Sequence, residues 1–244
     1  MSSVEPSDGQ PGWNYFDRIY CISLKERSDR RNEARRQFAS VGLTDRVEFV
    51  EVERHPINSE QGIYASHQRC IAEGLAMGAE TILIFEDDVC FQGFSRHRLD
   101  HCVAFLSSTT GWQAFFFGCL MRRCRPTGNP SVLAIDYRSL AHAYALSRPF
   151  AQQVVTKPWK GEPYDAMLAR LNAVCFAAYP AFAFQSDAAS DNRCRENLDR
   201  LRRRCGGLIR IQQANQWICR HRRLLIALHL AGLALVIGLG FCFT

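Results

Sequence analysis

Thr81-Ile82-Leu83-Ile84-Phe85 runs without a break into Glu86-Asp87-Asp88, and no other segment limits the fold of this chain so tightly. A short apolar run rich in β-branched residues makes a strand covered on both faces, as in a parallel sheet with helices above and below. Three consecutive carboxylates repel one another. A solvated surface turn tolerates that repulsion, and so does the carboxyl end of an inner strand, where open α/β sheets bind their ligands. Side chains alternate along an extended segment, so Glu86 and Asp88 point one way and Asp87 the other. Two hard oxygen ligands around one point suit Mg2+ or Mn2+, an ion that bridges the phosphates of a nucleoside diphosphate and neutralises it as it leaves. On spacing alone, the acidic surface turn and the metal motif both stand.

Strand and helix patterns alternate on either side of this run. Residues 17–24 and 47–52 read as strands. Residues 29–41, capped by Ser28 and stopped by Gly42, read as a helix, as do residues 61–77, stopped by Gly78. Further on, 98–107 and 163–171 read as helices and 113–118, 141–146 and 174–178 as strands, with Ser147 and Pro149 opening another helix. This order predicts an α/β sandwich around a mostly parallel sheet. With 47% hydrophobic residues in 244, the chain can bury one sizeable core.

The two ends differ from this body. Residues 1–15 are predicted to be a flexible leader, with no apolar stretch of a secretory signal. Residues 193–223 hold ten Arg against Glu196 and Asp199, a local charge of +8 in a chain whose total is +6. Residues 224–244 are apolar except for His229 and the last residue, Thr244. A bilayer needs about 20 such residues, and basic residues flank the cytoplasmic end of a span. The sequence therefore predicts an Arg-rich juxtamembrane helix over 193–223 and a single-pass tail anchor over 224–244, with the body in the cytoplasm. Three partners compete for the arginines: nucleic acid, plain solvent, and anionic lipid headgroups, each basic residue near a membrane contributing about 1 kcal/mol. No nucleic-acid-reading motif is present, and adjacency to the anchor favours lipid. Eleven cysteines, with no CxxC pair, read as reduced buried thiols.

The body resembles glycosyltransferase family 25, which comprises bacterial lipopolysaccharide glycosyltransferases and collagen galactosyltransferases. The resemblance spans residues 16–192 in the family's order. It is carried by Ile19-Tyr20-Cys21-Ile22-Ser23-Leu24 with Arg27-Ser28-Asp29-Arg30-Arg31, then Gly62-Ile63-Tyr64-Ala65-Ser66-His67, then Leu83 to Val89 with the acidic triplet. His142-Ala143-Tyr144-Ala145-Leu146, Asp165, Tyr179-Pro180, Gln185 and Ser190-Asp191 complete it. Tyr64-Ala65 departs from the family's usual residues before Ser66-His67, and the stretch between Arg122 and Ser139 is short. The resemblance implies a GT-A-like nucleotide-sugar-binding fold, a divalent metal and a UDP-hexose donor such as UDP-galactose.

On this basis Glu86 and Asp88 are the expected metal ligands. Arg27, Asp29, Arg30, Ser66, His67, Asp87, His142, Gln185 and Asp191 are expected around the donor, and Arg27 and Arg30 lie at a helix N-terminus suited to phosphate. Asp165 is the candidate general base for an inverting transfer, with Asp187 and Asp191 as alternates, and Asp88 is counted as catalytic through the metal it is expected to bind. For Asp165, complementing the dipole at the start of its helix is the competing role. His142 is either structural or a third contact to metal or diphosphate. Trp112, Trp159 and Trp217 are stacking candidates or core filler. The acceptor is a glycan or a lipid-linked saccharide. A non-catalytic membrane scaffold with a decayed transferase fold is the alternative.

Overall fold

Residues 81–85 are all buried, and the strand they form, β3 (Thr81–Glu86), lies third in an eight-stranded sheet. Its neighbours explain why an all-apolar run is needed there. Ile82 and Ile84 enter one core cluster with Tyr20, Tyr144 and Leu146, while Leu83 and Phe85 enter the other with Ile19, Cys21 and Ala145. Both faces of the strand are covered, and the two-residue period of a strand divides its side chains between them. The computed structural model describes residues 12–186 and 206–242, with side chains in the last helix through residue 232.

The chain runs β1 (Arg18–Leu24), α1 (Ser28–Ser40), β2 (Glu48–Val52), α2 (Ser59–Ala76) and then β3. It continues through β4 (Val89–Phe91), α3 (Arg96–Ser108), β5 (Ala114–Phe116), β6 (Leu120–Pro126), β7 (Val132–Ser139) and β8 (Ala143–Ser147). Last come α4 (Arg148–Val155), α5 (Tyr164–Arg170), β9 (Cys175–Ala178), β10 (Ala183–Gln185) and α6 (Gly207–Cys242). The sheet order is β2-β1-β3-β8-β5-β9-β7-β6, and β4 and β10 pair separately. β1 is parallel to β2 and β3, and β5 is parallel to β9. β8 runs against β3 and β5, and β7 against β9 and β6. Six of the eight strands thus point one way, the mostly parallel α/β sandwich expected, with β7 and β8 reversed.

The start of the chain departs from the expected leader. Gly12–Tyr15 form a 3-10 turn, Trp13 is buried, and its Nε1 donates to the Val41 carbonyl at 2.8 Å. The ring stacks on Phe94 with centroids 5.9 Å apart. Any leader therefore ends before residue 12. The glycines and prolines around Trp13 suggested a loop, and the aromatic cluster it completes is assembled from distant residues that local composition does not reveal. Asp17 then ties β1 to β3, its Oδ2 accepting from the N–H groups of Glu80 and Thr81, both at 2.9 Å.

The β6–β7 hairpin fills the stretch read as compressed, with Met121, Leu133, Ile135 and Tyr137 buried against the core. Further on, the buried residues Leu208, Gln212 and Gln216 of α6 recur every four positions and pack on the body. Of the expected juxtamembrane helix, residues 207–219 are docked on the body, and residues 193–205 lie outside the described residues. The docking contacts are amides, Asn215 Nδ2 donating to Met121 O at 3.0 Å and Gln216 Nε2 to Ala178 O at 2.9 Å. Beyond Arg220, whose guanidinium lies over the Tyr179 ring, Leu224, Ile226, Leu228 and Leu230 are exposed. Among the described residues no helix is long and apolar enough to cross a membrane, and the side chains of residues 233–244 lie outside them. Cys21, Cys70, Cys102, Cys119 and Cys175 are buried and free, as the composition predicts.

Trp13 makes a direct stability test. Trp13→Ala is expected to cost about 3–5 kcal/mol in urea or thermal unfolding, the range for truncating a buried aromatic, whereas a leader residue would cost nothing measurable.

Candidate active site

β1 and β3 are parallel neighbours with Ile22 opposite Glu86, so their carboxyl ends meet. There Asp87 N–H donates to Ile22 O at 3.1 Å and Glu86 N–H to His142 O at 2.9 Å. The acidic segment is therefore clasped by backbone on both sides. Of the two readings its spacing allowed, it is the end of an inner strand and not a solvated turn. All three carboxylates line a cleft of about 190 Å³, together with Ser23, Arg30, Ser66, His67, His142, Tyr164, Asp165 and Gln185.

Each carboxylate has its own partners. Asp87 is 7% exposed; Ser23 Oγ donates to its Oδ2 at 2.7 Å and Arg30 Nη1 to its Oδ1 at 3.2 Å. Burial pushes this carboxyl up, and the Ser23 and Arg30 contacts oppose the push. Asp88 accepts from Gln185 Nε2 at 2.9 Å and lies 3.9 Å from Arg30 Nη1. Glu86 Oε1 meets His67 Nε2 at 3.3 Å. Burial, and then the charges of Asp88, Asp165 and Asp87, push the Glu86 carboxyl well above its ordinary range, with Arg30 opposing. A cation brought to this corner reverses that penalty.

His67 sits under Glu86 as a neutral base plate. It is 1% exposed, and burial pushes its imidazole down to about 3. Its ring stacks on Tyr164 with centroids 4.2 Å apart, and its Nδ1 meets Tyr144 Oη at 3.0 Å. Tyr144 Oη in turn donates to Tyr164 Oη at 2.8 Å. His142, also 1% exposed, is pushed down to about 4 by burial, and its Nε2 meets Ala183 O at 3.3 Å. Ser66 lines the cleft with its hydroxyl donating back to Gly62 O at 2.7 Å.

Asp165 is held more firmly than a lone base would be. Its Oδ1 accepts from Tyr137 Oη at 2.7 Å and Ala141 N–H at 3.0 Å, and its Oδ2 accepts from Leu140 N–H at 3.0 Å. Leu140 has φ of 73°, so this carboxylate pins a strained turn that delivers His142 to the cleft. Arg27 and Asp29 do not line the cleft: they pair with each other at the first turn of α1, at 3.0 and 2.9 Å. That pairing holds the exposed Asp29 carboxyl down at about 2. Of the basic turn it is Arg30 that reaches the carboxylates, while Arg31 donates to Leu24 O and Lys25 O and shapes the loop. Asp187 and Asp191 lie outside the described residues.

Sequence reasoning missed the wall opposite, formed by Val52, Arg54, His55, Glu60 and Ile63. Asn58 caps α2 there, accepting from Glu60 and Gln61 N–H at 3.0 and 3.3 Å, and His55 Nδ1 accepts from Asn58 N–H at 3.0 Å. Asn58 two residues before Glu60 was a readable cap signal. Ser23 and the two tyrosines gave none.

Among the described residues no group of three or more His, Cys, Asp or Glu side chains is arranged to hold a metal ion alone. Glu86 and Asp88 are the two cleft carboxylates that would hold a divalent cation, whose remaining ligands would have to come from outside the protein.

No family model matches the chain. A "Glycosyltransferase 25 family member" of Aedes aegypti is 25% identical over 125 residues, covering 41% of this chain and 21% of that protein. The chain is similar to glycosyltransferase family 25. The likeness agrees with the one read from the sequence, and the chain spans about a fifth of that relative's length. Among solved structures, A197 from STIV is matched at TM-score 0.47 and 12% identity, over 69% of this chain and 85% of that one. A glycosyltransferase involved in glycosylation of the major capsid of PBCV-1 is matched at TM-score 0.42 and 12% identity, over 74% and 99%.

Two measurements test the geometry. Asp165→Asn puts an N–H2 against backbone N–H donors and is expected to cost about 1–3 kcal/mol of stability, with Tyr137→Phe costing about 1 kcal/mol, in urea unfolding. The buried histidines set an acid limb. The unfolded chain protonates them near the ordinary value of 6.5, while the fold resists until about 3 for His67 and about 4 for His142. Stability therefore falls as pH drops below about 6.5, and neither histidine contributes above it. Glu86 works with opposite sign, favouring the unfolded chain as pH rises above the usual carboxylate value. His142→Gln is expected to shrink the loss of stability between about pH 7 and about pH 5, read by urea unfolding at each pH.

Proposed function

We propose that this chain is a metal-dependent glycosyltransferase that moves a hexose, galactose in the first instance, from a UDP-sugar to a glycan or lipid-linked saccharide with inversion. The observation that supports it is the placing of Glu86 and Asp88 in one cleft at the carboxyl end of β3, beside Arg30. In this reading Glu86 and Asp88 hold Mn2+ or Mg2+, which as a Lewis acid lowers the cost of charge on the departing diphosphate. Arg30, held by Asp87 and near Asp88, adds positive charge on the same side. His67 and Ser66 form the floor under the donor, and His142 and Gln185 flank it. Arg27 and Asp29 serve the outer edge of the first turn of α1.

The acceptor hydroxyl attacks the anomeric carbon, the bond from that carbon to the diphosphate oxygen breaks, and a carboxylate takes the hydroxyl proton. Asp165 is the base in this reading through Oδ2, which carries a single donor while Oδ1 carries two. Its second role, pinning the 140–142 turn, is needed in either case. Residues 224–244 tether the enzyme to a membrane rich in anionic lipid, with the cleft on the cytoplasmic side and within reach of a lipid-linked acceptor. The exposed leucines and isoleucine of α6 beyond Arg223 support that tether.

UDP release from UDP-galactose with Mn2+ tests the reading. Asp88→Ala is expected to lower it at least about 100-fold, the loss of one strong electrostatic contact to the leaving group. Equal release from both proteins would sink it. The full chain is expected to sediment with anionic vesicles and a chain lacking residues 224–244 to stay in the supernatant.

A further inference from the structure

We propose that Gln212 is a positioning residue of this cleft, acting on His142 through the carbonyl oxygen of Ala183. Gln212 is 1% exposed on α6, and its Nε2 donates to Ala183 O at 3.1 Å. His142 Nε2 meets the same oxygen at 3.3 Å. A carbonyl oxygen only accepts, so the Ala183 contact calls for the hydrogen on Nε2, while the buried Nδ1 makes no bond of hydrogen-bond geometry among the described residues and has the Leu140 backbone as the competing acceptor. The tautomer of this cleft-lining histidine therefore depends on how well the Ala183 carbonyl is aimed, and Gln212, on a helix that is not part of the cleft lining, holds the same oxygen.

The surroundings reserve space for this convergence. A Cβ at Gly118 would lie 1.8 Å from Ala183 O and 2.3 Å from Gln212 Nε2, so only glycine permits the three to meet. β10 then carries the effect further, because Gln185, two residues beyond Ala183, donates to Asp88. Of the two bonds on the oxygen, the one from His142 is the longer. Without Gln212 the Ala183 carbonyl, still held in the β4–β10 ladder, keeps only the longer of its two side-chain bonds, and a small tilt of it weakens the geometry that holds the hydrogen on Nε2.

The test uses the full chain with two substitutions. Gln212→Met keeps length and bulk but loses the donor. Gln216→Met, one turn along the same face, loses contacts to Ala178 O and Ala181 N–H, both at 2.9 Å, that do not touch Ala183. Both are expected to lower the thermal midpoint by similar amounts. Only Gln212→Met is expected to move the His142 ring nitrogen-15 signals from the Nε2–H pattern towards tautomer averaging. It is also expected to lower kcat for UDP release about tenfold, with the donor KM changed less than about twofold, the scale of one lost hydrogen bond. Unchanged His142 signals in Gln212→Met, or equal changes in Gln216→Met, overturn the proposal. The kinetic arm rests on the glycosyl-transfer reading. The ring signals need no turnover, so a wild-type protein that releases no UDP sinks that reading alone.

Discussion

The Ser23 hydroxyl and the Arg30 guanidinium, each bonded to one oxygen of Asp87, let three carboxylates stand at the end of a buried strand. A buried charge without partners costs several kcal/mol, and removing one partner of a buried pair leaves that cost exposed. Asp87 meets the requirement by turning towards β1 and α1. Glu86 and Asp88 line the cleft beside it with partners of their own, His67 and Gln185. The parallel pairing of β1 with β3 and the basic turn that opens α1 are the two fold features this arrangement needs.

Below the carboxylates the protein builds with neutral polar groups. His67, Tyr144 and Tyr164 form a hydrogen-bonded stack in which burial keeps the imidazole uncharged and the phenols protonated. Such a floor is stiff and adds no cation of its own. A positive charge beneath Glu86 would compete with a metal for the same oxygens. The polar network is satisfied by its own members, which is how a buried hydroxyl-rich layer avoids desolvation cost.

What could be read from the sequence follows from which interactions are local. β3 was legible because one strand's pattern reports its own burial, and the helix stops at Gly42 and Gly78 were legible because φ of 77° at each needs glycine. Glu86 and Asp88 were legible as cleft residues only once the family resemblance was added, because their spacing fits a solvated surface turn equally well. Arg27 was not distinguishable from Arg30, because only the folded turn decides which guanidinium pairs with Asp29. Val132 to Ser139 carries a strand's alternation, but the arginines of β6 and the turn glycine at Gly128 masked the hairpin. The docked part of α6 was hidden by its arginines, since the residues that fasten it are Gln212, Asn215 and Gln216.

β6 is the last strand of the sheet, and such a strand presents unpaired amide and carbonyl groups on which a second chain can build. α6 closes this border by side-chain mimicry: the Asn215 carboxamide both accepts from and donates to the main chain of Met121, at 2.9 and 3.0 Å, as a neighbouring strand would. At this one residue the helix takes the place of a further strand. A shortened form that ends before residue 207 would uncover a sticky rim, and its clumping would come from strand addition and say nothing about lipids.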